Sequence, residues 1–95
     1  MDAVRIDKFL WAARFYKTRA LAQAEIEAGR VKVDGARVKP ARPVRPGLVI
    51  ELRRGQTRRR IEVLDISDQR GGAPQAQLLY RDIDPPERLG LFDED

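Results

Sequence analysis

Residues 4–35 read VRIDKFLWAARFYKTRALAQAEIEAGRVKVDG, and the way apolar positions recur in them decides the fold. Ile6, Phe9, Leu10 and Ala13 stand at i, i+3, i+4 and i+7, which lines one stripe of a helix predicted from about Val4 to Phe15. Arg5 and Lys8 flank that stripe on one side and Arg14 on the other, while Trp11 points nearly opposite it and is not an obvious core residue. Thr18 is suited to cap a second helix through its hydroxyl, Arg19 to Ala28 is rich in Ala, Leu, Gln and Glu, and Gly29 stops it. Leu21, Ala22 and Ile26 give this helix an apolar side to pack on the first, and the short Tyr16-Lys17 connector with small alanines forces a close approach.

Beyond Gly29 the period changes to two. Val31 and Val33 alternate with Lys32, Asp34-Gly35 is a strong type I′ signal, and Val38 begins the return strand of a hairpin. Pro40, Pro43 and Pro46 make residues 39–47 an extended connector. Leu48 to Leu52 and Arg60 to Ile66 then read as a second hairpin around the turn at Gly55. Gln69 to Ala76, with Gly71-Gly72 and Pro74, reads as a loop, and Gln77 to Arg81 as a final edge strand. Residues 1–83 are thus expected to form one domain, and residues 84–95 a short acidic tail in which Glu87 to Phe92 can form one helical turn. The fold class predicted is α+β: two packed helices and a β-hairpin on a small, mainly antiparallel sheet.

Composition narrows the chemistry. The 95 residues include no Cys and no His, which removes thiolate metal sites, thiol nucleophiles and the side chain that titrates near neutrality. The expectation is a binding protein with no catalytic residue, no metal and no cofactor. No signal peptide or membrane-spanning run is read, so a cytoplasmic protein without a membrane partner is expected. Charge is segregated: residues 1–60 hold 16 Lys+Arg against 6 Asp+Glu, a net of +10, and residues 61–95 hold 3 against 9, a net of −6. The first part is a polycation suited to phosphates, in RNA foremost, though charge alone admits DNA.

The most telling stretch is Lys17-Thr18-Arg19. Cations at a helix start oppose the macrodipole, so they make sense there if an anion is bound by them, the Thr hydroxyl and the free backbone N–H groups. Arg5 and Lys8 add a second cationic row, and Lys32, Arg37 and Lys39 a third; Asp34, Thr18 and Gln23 offer polar contacts to sugars or bases. Trp11 has two readings, coverage by Leu89, Leu91 or Phe92 of the tail, or stacking on an unpaired base.

Arg5-Ile6-Asp7-Lys8, Leu10, Thr18-Arg19, Ala22, Ile26, Gly29, Val31, Val33 and Asp34-Gly35 resemble the alpha-L RNA-binding motif of the S-four domain. The run from Asp7 to Ala22, with Lys39-Pro40 and the segment from Gln69-Arg70 to Leu79-Tyr80, is similar to the ribosome-associated heat shock protein fifteen family. That resemblance implies a module binding ribosomal RNA on the large ribosomal subunit, in particular subunits carrying a nascent chain on transfer RNA, and acting in their rescue or recycling. The chain departs from the family pattern after about Tyr80, ending in Asp93-Glu94-Asp95 where better-known members continue into a basic helix and tail. A monomer is expected. Two other readings stand beside this one: the RNA-binding module of an RNA-modifying or transfer-RNA-charging enzyme, and a protein-interaction adaptor whose acidic tail folds onto its basic face.

Overall fold

The structure, a computed structural model, describes residues 1–83 and 87–88. The chain opens with a short strand, β1 (Val4–Arg5), and only then enters α1 (Ile6–Ala12), so the helix predicted from Val4 to Phe15 is shorter at both ends. Arg5 is extended (φ −60°, ψ 143°) and no side chain caps the helix. Instead the N–H groups of Ile6 and Asp7 donate to the carbonyls of Arg42 and Pro40 at 2.8 and 3.2 Å. A segment distant in sequence thereby satisfies donors that every helix start leaves orphaned. At the other end Arg14 is left-handed (φ 67°), and the Phe15 N–H donates to the Leu10 carbonyl at 2.9 Å, a helix ending that normally recruits glycine.

Helix α2 (Arg19–Glu27) starts at Thr18, whose Oγ1 accepts from the Leu21 N–H at 3.0 Å, and Gly29 (φ 82°) ends it as predicted. Ala22 and Ile26 are fully buried on the α1 side. Leu21, expected among them, is 49 % exposed on the outer face. Strands β2 (Val31–Val33) and β3 (Ala36–Arg37) form the predicted hairpin, with Asp34 and Gly35 both at positive φ. The return begins at Ala36, not Val38, because a two-residue turn sets Val33 directly opposite Ala36.

Within the extended connector, β4 (Pro43–Val44) pairs with β1, setting Val44 opposite Val4. Strands β5 (Val49–Arg54) and β6 (Thr57–Val63) form the second hairpin; both run up to the turn, and β6 ends before Ile66. The predicted loop at 69–76 is corrected. It contains α3 (Ala73–Gln77), with Pro74 in the first turn, where its missing N–H costs nothing. The edge strand is accordingly β7 (Tyr80–Asp82), beginning three residues later than predicted. Glu87–Arg88 is a strand, β8, on β6, where a helical turn was expected; residues 89–92 lie outside the described residues, as does most of the tail from 84.

The larger sheet has the order β3-β2-β5-β6-β7, with β8 also pairing on β6 and every described pairing antiparallel. Alternation does the sorting: Val31, Val33, Ile50, Leu52, Ile61 and Val63 are buried with Ile6, Phe9, Leu10 and Ile26 in one core. Lys32, Glu51 and Arg60 are paired in register on the other face. Trp11, read as pointing away from the core, is half-buried and packs against it. Its proposed cover of Leu89, Leu91 and Phe92 lies outside the described residues. Among the described residues no helix is long and apolar enough to cross a membrane.

Candidate nucleic-acid interface

Asp7, absent from the predicted site, organises it. The carboxylate has no exposed surface, yet three side chains from two elements converge on it. Arg5 donates to both oxygens at 3.1 and 3.0 Å, Gln23 Nε2 donates to Oδ2 at 2.8 Å, and an Arg19 nitrogen lies 3.5 Å from Oδ2. Burial by itself raises the carboxyl pKa, but donation by Gln23 and Arg5, with the charge of Arg5, outweighs it and holds Asp7 below the usual carboxylate range. The ion therefore stays charged and fixes two guanidinium groups, each still partly exposed, at the seam between α1 and α2.

This clasp changes the reading of three predicted residues. Arg5 and Arg19 are cations aimed from a buried anchor, and Arg19 Nε, buried, has no hydrogen-bond partner. Gln23, expected to meet sugar or base, directs its amide inward to Asp7. The α2 start otherwise matches expectation: Lys17 and Thr18 are exposed, and the Thr18 hydroxyl is committed to the cap. Arg19 and Gln23, four apart on one helix face, both reach back to α1.

The hairpin residues divide. Lys32 stands on the outer sheet face opposite Arg37 on one side and Glu51 on the other. Asp34 is exposed in the turn. Arg37 has a structural task at the α2 C-terminus, where it donates to the Glu27 carbonyl at 3.0 Å, a cation against the negative end of the dipole. Its guanidinium also lies where a side chain on Gly29 would have to go, with Nε 3.0 Å from a built Cβ. Lys39 lines a shallow hollow with Ile26, Arg37 and Pro40, and the backbone bonds from α1 to Pro40 and Arg42 hold that connector at the α1 start near Arg5. The α1–α2 seam and the connector are thus brought together, whereas Arg37 lies at the opposite end of α2 from Lys17.

The basic run of the second hairpin was not in the predicted site. Arg54 donates to the Phe15 carbonyl at 3.1 Å and lies over the Tyr16 ring, 5.5 Å from its centroid. Arg59 packs over Phe15 and Tyr80 and is held by both oxygens of Asp82. The charge was readable locally but the aromatic partners were not, since Phe15 lies 39 positions before Arg54 and Tyr80 belongs to β7. Among the described residues no group of His, Cys, Asp or Glu is arranged to hold a metal ion.

A model of the S4 domain matches residues 4–50. The chain is 52% identical over 81 residues to the heat shock protein 15 homolog of Aeromonas salmonicida, covering 85% of this chain and 61% of that protein, so it spans about three fifths of that relative's length. It is 34% identical over 65 residues to the RQC P-site tRNA stabilizing factor of Bacillus subtilis, covering 68% of this chain and 76% of that protein. Among solved structures, the trimeric structure of Vibrio cholerae heat shock protein 15 matches with a TM-score of 0.82 and 53% identity, over 85% of this chain and 82% of that one.

Proposed function

The chain belongs to the heat shock protein 15 family of S4-domain proteins, and on that premise we propose that it binds structured ribosomal RNA on the large ribosomal subunit. Its task there is the rescue or recycling of stalled subunits that carry a nascent chain on transfer RNA. The observation that carries this reading is the clasp at Asp7, which anchors Arg5 and Arg19 at one seam beside exposed Lys17 and Thr18. Such a rigid cationic patch suits the phosphate landscape and 2′-hydroxyls of folded RNA better than a readable groove. Lys8, Lys32, Asp34 and Lys39 extend it along α1 and the first hairpin.

The name of the Bacillus relative, a factor that stabilises P-site tRNA, supports a role on subunits that hold transfer RNA. The protein works by binding, not catalysis. The clasp is complete within one copy, with Arg5, Asp7, Arg19 and Gln23; a monomer in the cytoplasm belongs to the same proposal, although the similar Vibrio cholerae structure is trimeric. The test is sedimentation with purified large subunits, with and without peptidyl-transfer RNA, followed by cryo-electron microscopy. Co-sedimentation that Lys17→Ala weakens, and density for the α1–α2 seam on ribosomal RNA, are expected. Equal sedimentation with small subunits would sink the assignment.

A further inference from the structure

Beside the α2 start lies a concavity that the phosphate-binding surface does not use. Tyr16, Leu21, Glu25, Arg30, Arg54 and Gly55 line it, and its volume of about 610 Å³ falls within the range of small-ligand sites, about 300–1,000 Å³. It separates the outer face of α2 from the tip of the second hairpin, and it begins one residue before Lys17, so a strand held at Lys17 and Thr18 passes its mouth.

The lining is mixed in a way that excludes most simple occupants. Leu21, 49 % exposed, is a large apolar group on a helix face with no structural task. The guanidinium of Arg54 lies over the Tyr16 ring and is tied to the Phe15 carbonyl, which holds a planar group where a base can stack. Glu25 accepts from Arg30 at 3.1 Å, so one wall presents an acceptor and a donor side by side. Tyr16 lines the concavity and its hydroxyl is buried without a hydrogen-bond partner, a deficit that a polar ligand edge would relieve once the side chain shifts toward the opening. Burial pushes its pKa up, which keeps it a neutral donor. A bare anion would gain from Arg30 and Arg54 but meet Glu25 and Leu21. An apolar side chain would use Leu21 and leave the polar wall unsatisfied. A nucleotide uses all of it: an apolar base face, an edge with donors and acceptors, and a phosphate.

We propose that this concavity takes one unpaired nucleotide of the bound RNA, with the base laid between Leu21 and Arg54, its edge toward Glu25, Arg30 and the Tyr16 hydroxyl, and its phosphate toward Lys17. The inference rests on the RNA-binding reading, and it adds a preference for RNA with a bulged or looped base at a fixed distance from the phosphates held on the α2 start.

The experiment compares two RNA hairpins, one fully paired and one carrying a single bulged 2-aminopurine, each titrated with the full chain. Tighter binding of the bulged hairpin by roughly 10-fold or more is expected, the worth of one hydrogen bond and a stacking contact, together with a change in 2-aminopurine emission. Leu21→Ala and Tyr16→Phe should each reduce that preference while leaving affinity for the paired hairpin as it was. Tyr16→Phe should leave thermal stability unchanged or raised, which a purely structural role for the hydroxyl would not do. Equal affinity for both hairpins overturns the nucleotide site and leaves the RNA-binding reading intact; failure to bind either overturns both. Leu21 methyl resonances that shift with an apolar peptide and not with the bulged RNA would also overturn it, in favour of a protein ligand.

Discussion

Asp7 carries a charge where no water reaches it, and the arrangement of its partners sets what each substitution will do. Asp7→Asn keeps the shape but leaves Arg5 and Arg19 without their shared anion. Because both arginines can rehydrate, the expected loss is moderate, about 1 to 3 kcal/mol by denaturant unfolding, with weaker RNA binding as the guanidinium groups lose direction. Its folded pKa is depressed, so the stabilisation is fully present above the ordinary value of 3.8 and is lost as pH falls through the lower folded value. The gap between wild type and Asp7→Asn should therefore be constant near neutrality and close in acid; a gap that widens in acid would contradict the clasp. The same contacts separate two neighbouring cations. From sequence, Lys17→Ala and Arg19→Ala are alike, removals of charge that opposes a dipole and so harmless to stability. With Arg19 beside Asp7, Arg19→Ala should lower the melting temperature, whereas Lys17→Ala should keep or raise it while weakening RNA binding by roughly 1 kcal/mol. Melting curves of the two single variants distinguish these cases. The clasp was not legible because positions i and i+2 do not face each other on a helix. Arg5 reaches Asp7 only because it sits in β1, and nothing local to Val4 announces that strand.

At the scale of elements, the parts whose causes are local were read correctly. Thr18 caps α2 through its own hydroxyl, Gly29 ends it at a positive φ, and Asp34-Gly35 turns the hairpin without help from elsewhere. The errors fall where a distant partner or an ambiguous residue decides. The α1 start is fixed by carbonyls of Pro40 and Arg42. Pro74 reads as a breaker until it is placed in a first turn, and α3 begins there. The α1–α2 seam bears the candidate site, and its closeness depends on Ala22, fully buried on the α1 side. Ala22→Leu should separate the helices or force strained rotamers, at a cost of about 1 to 3 kcal/mol. It should also weaken RNA binding beyond what unfolding explains, because Arg19 and Gln23 move away from Asp7. Binding measured well below the variant's melting temperature checks this; unchanged affinity would show that the seam's spacing is irrelevant to recognition.

Across the whole molecule, the cations divide between those that have a carboxylate partner and those on the proposed surface that do not. Sheet order puts β7, with Asp82 holding Arg59 and Arg81 paired to Glu62, at the far side from β3 and the first hairpin. Asp82 and Glu62 thus neutralise two of the sheet's own arginines. On the proposed surface Lys8, Lys17, Lys32 and Lys39 make no ion pair among the described residues, while Arg5 and Arg19 share Asp7. Discounting the six cations only for Asp7, the one carboxylate ion-paired with them, leaves about five free to meet phosphates. If each replaces a condensed counterion, the logarithm of affinity for structured RNA should fall against the logarithm of salt with a slope of about −3.5 to −4.5. Lys17→Ala should make that slope shallower by about 1, and Arg37→Ala should leave it nearly unchanged, since that guanidinium serves the α2 C-terminus. Titrations of one RNA from low to moderate salt, repeated for both variants, test the whole surface at once. A slope near zero would remove phosphate contact as the source of affinity. A full slope that Arg37→Ala reduces as much as Lys17→Ala would move the RNA path from the helix seam toward the far end of α2.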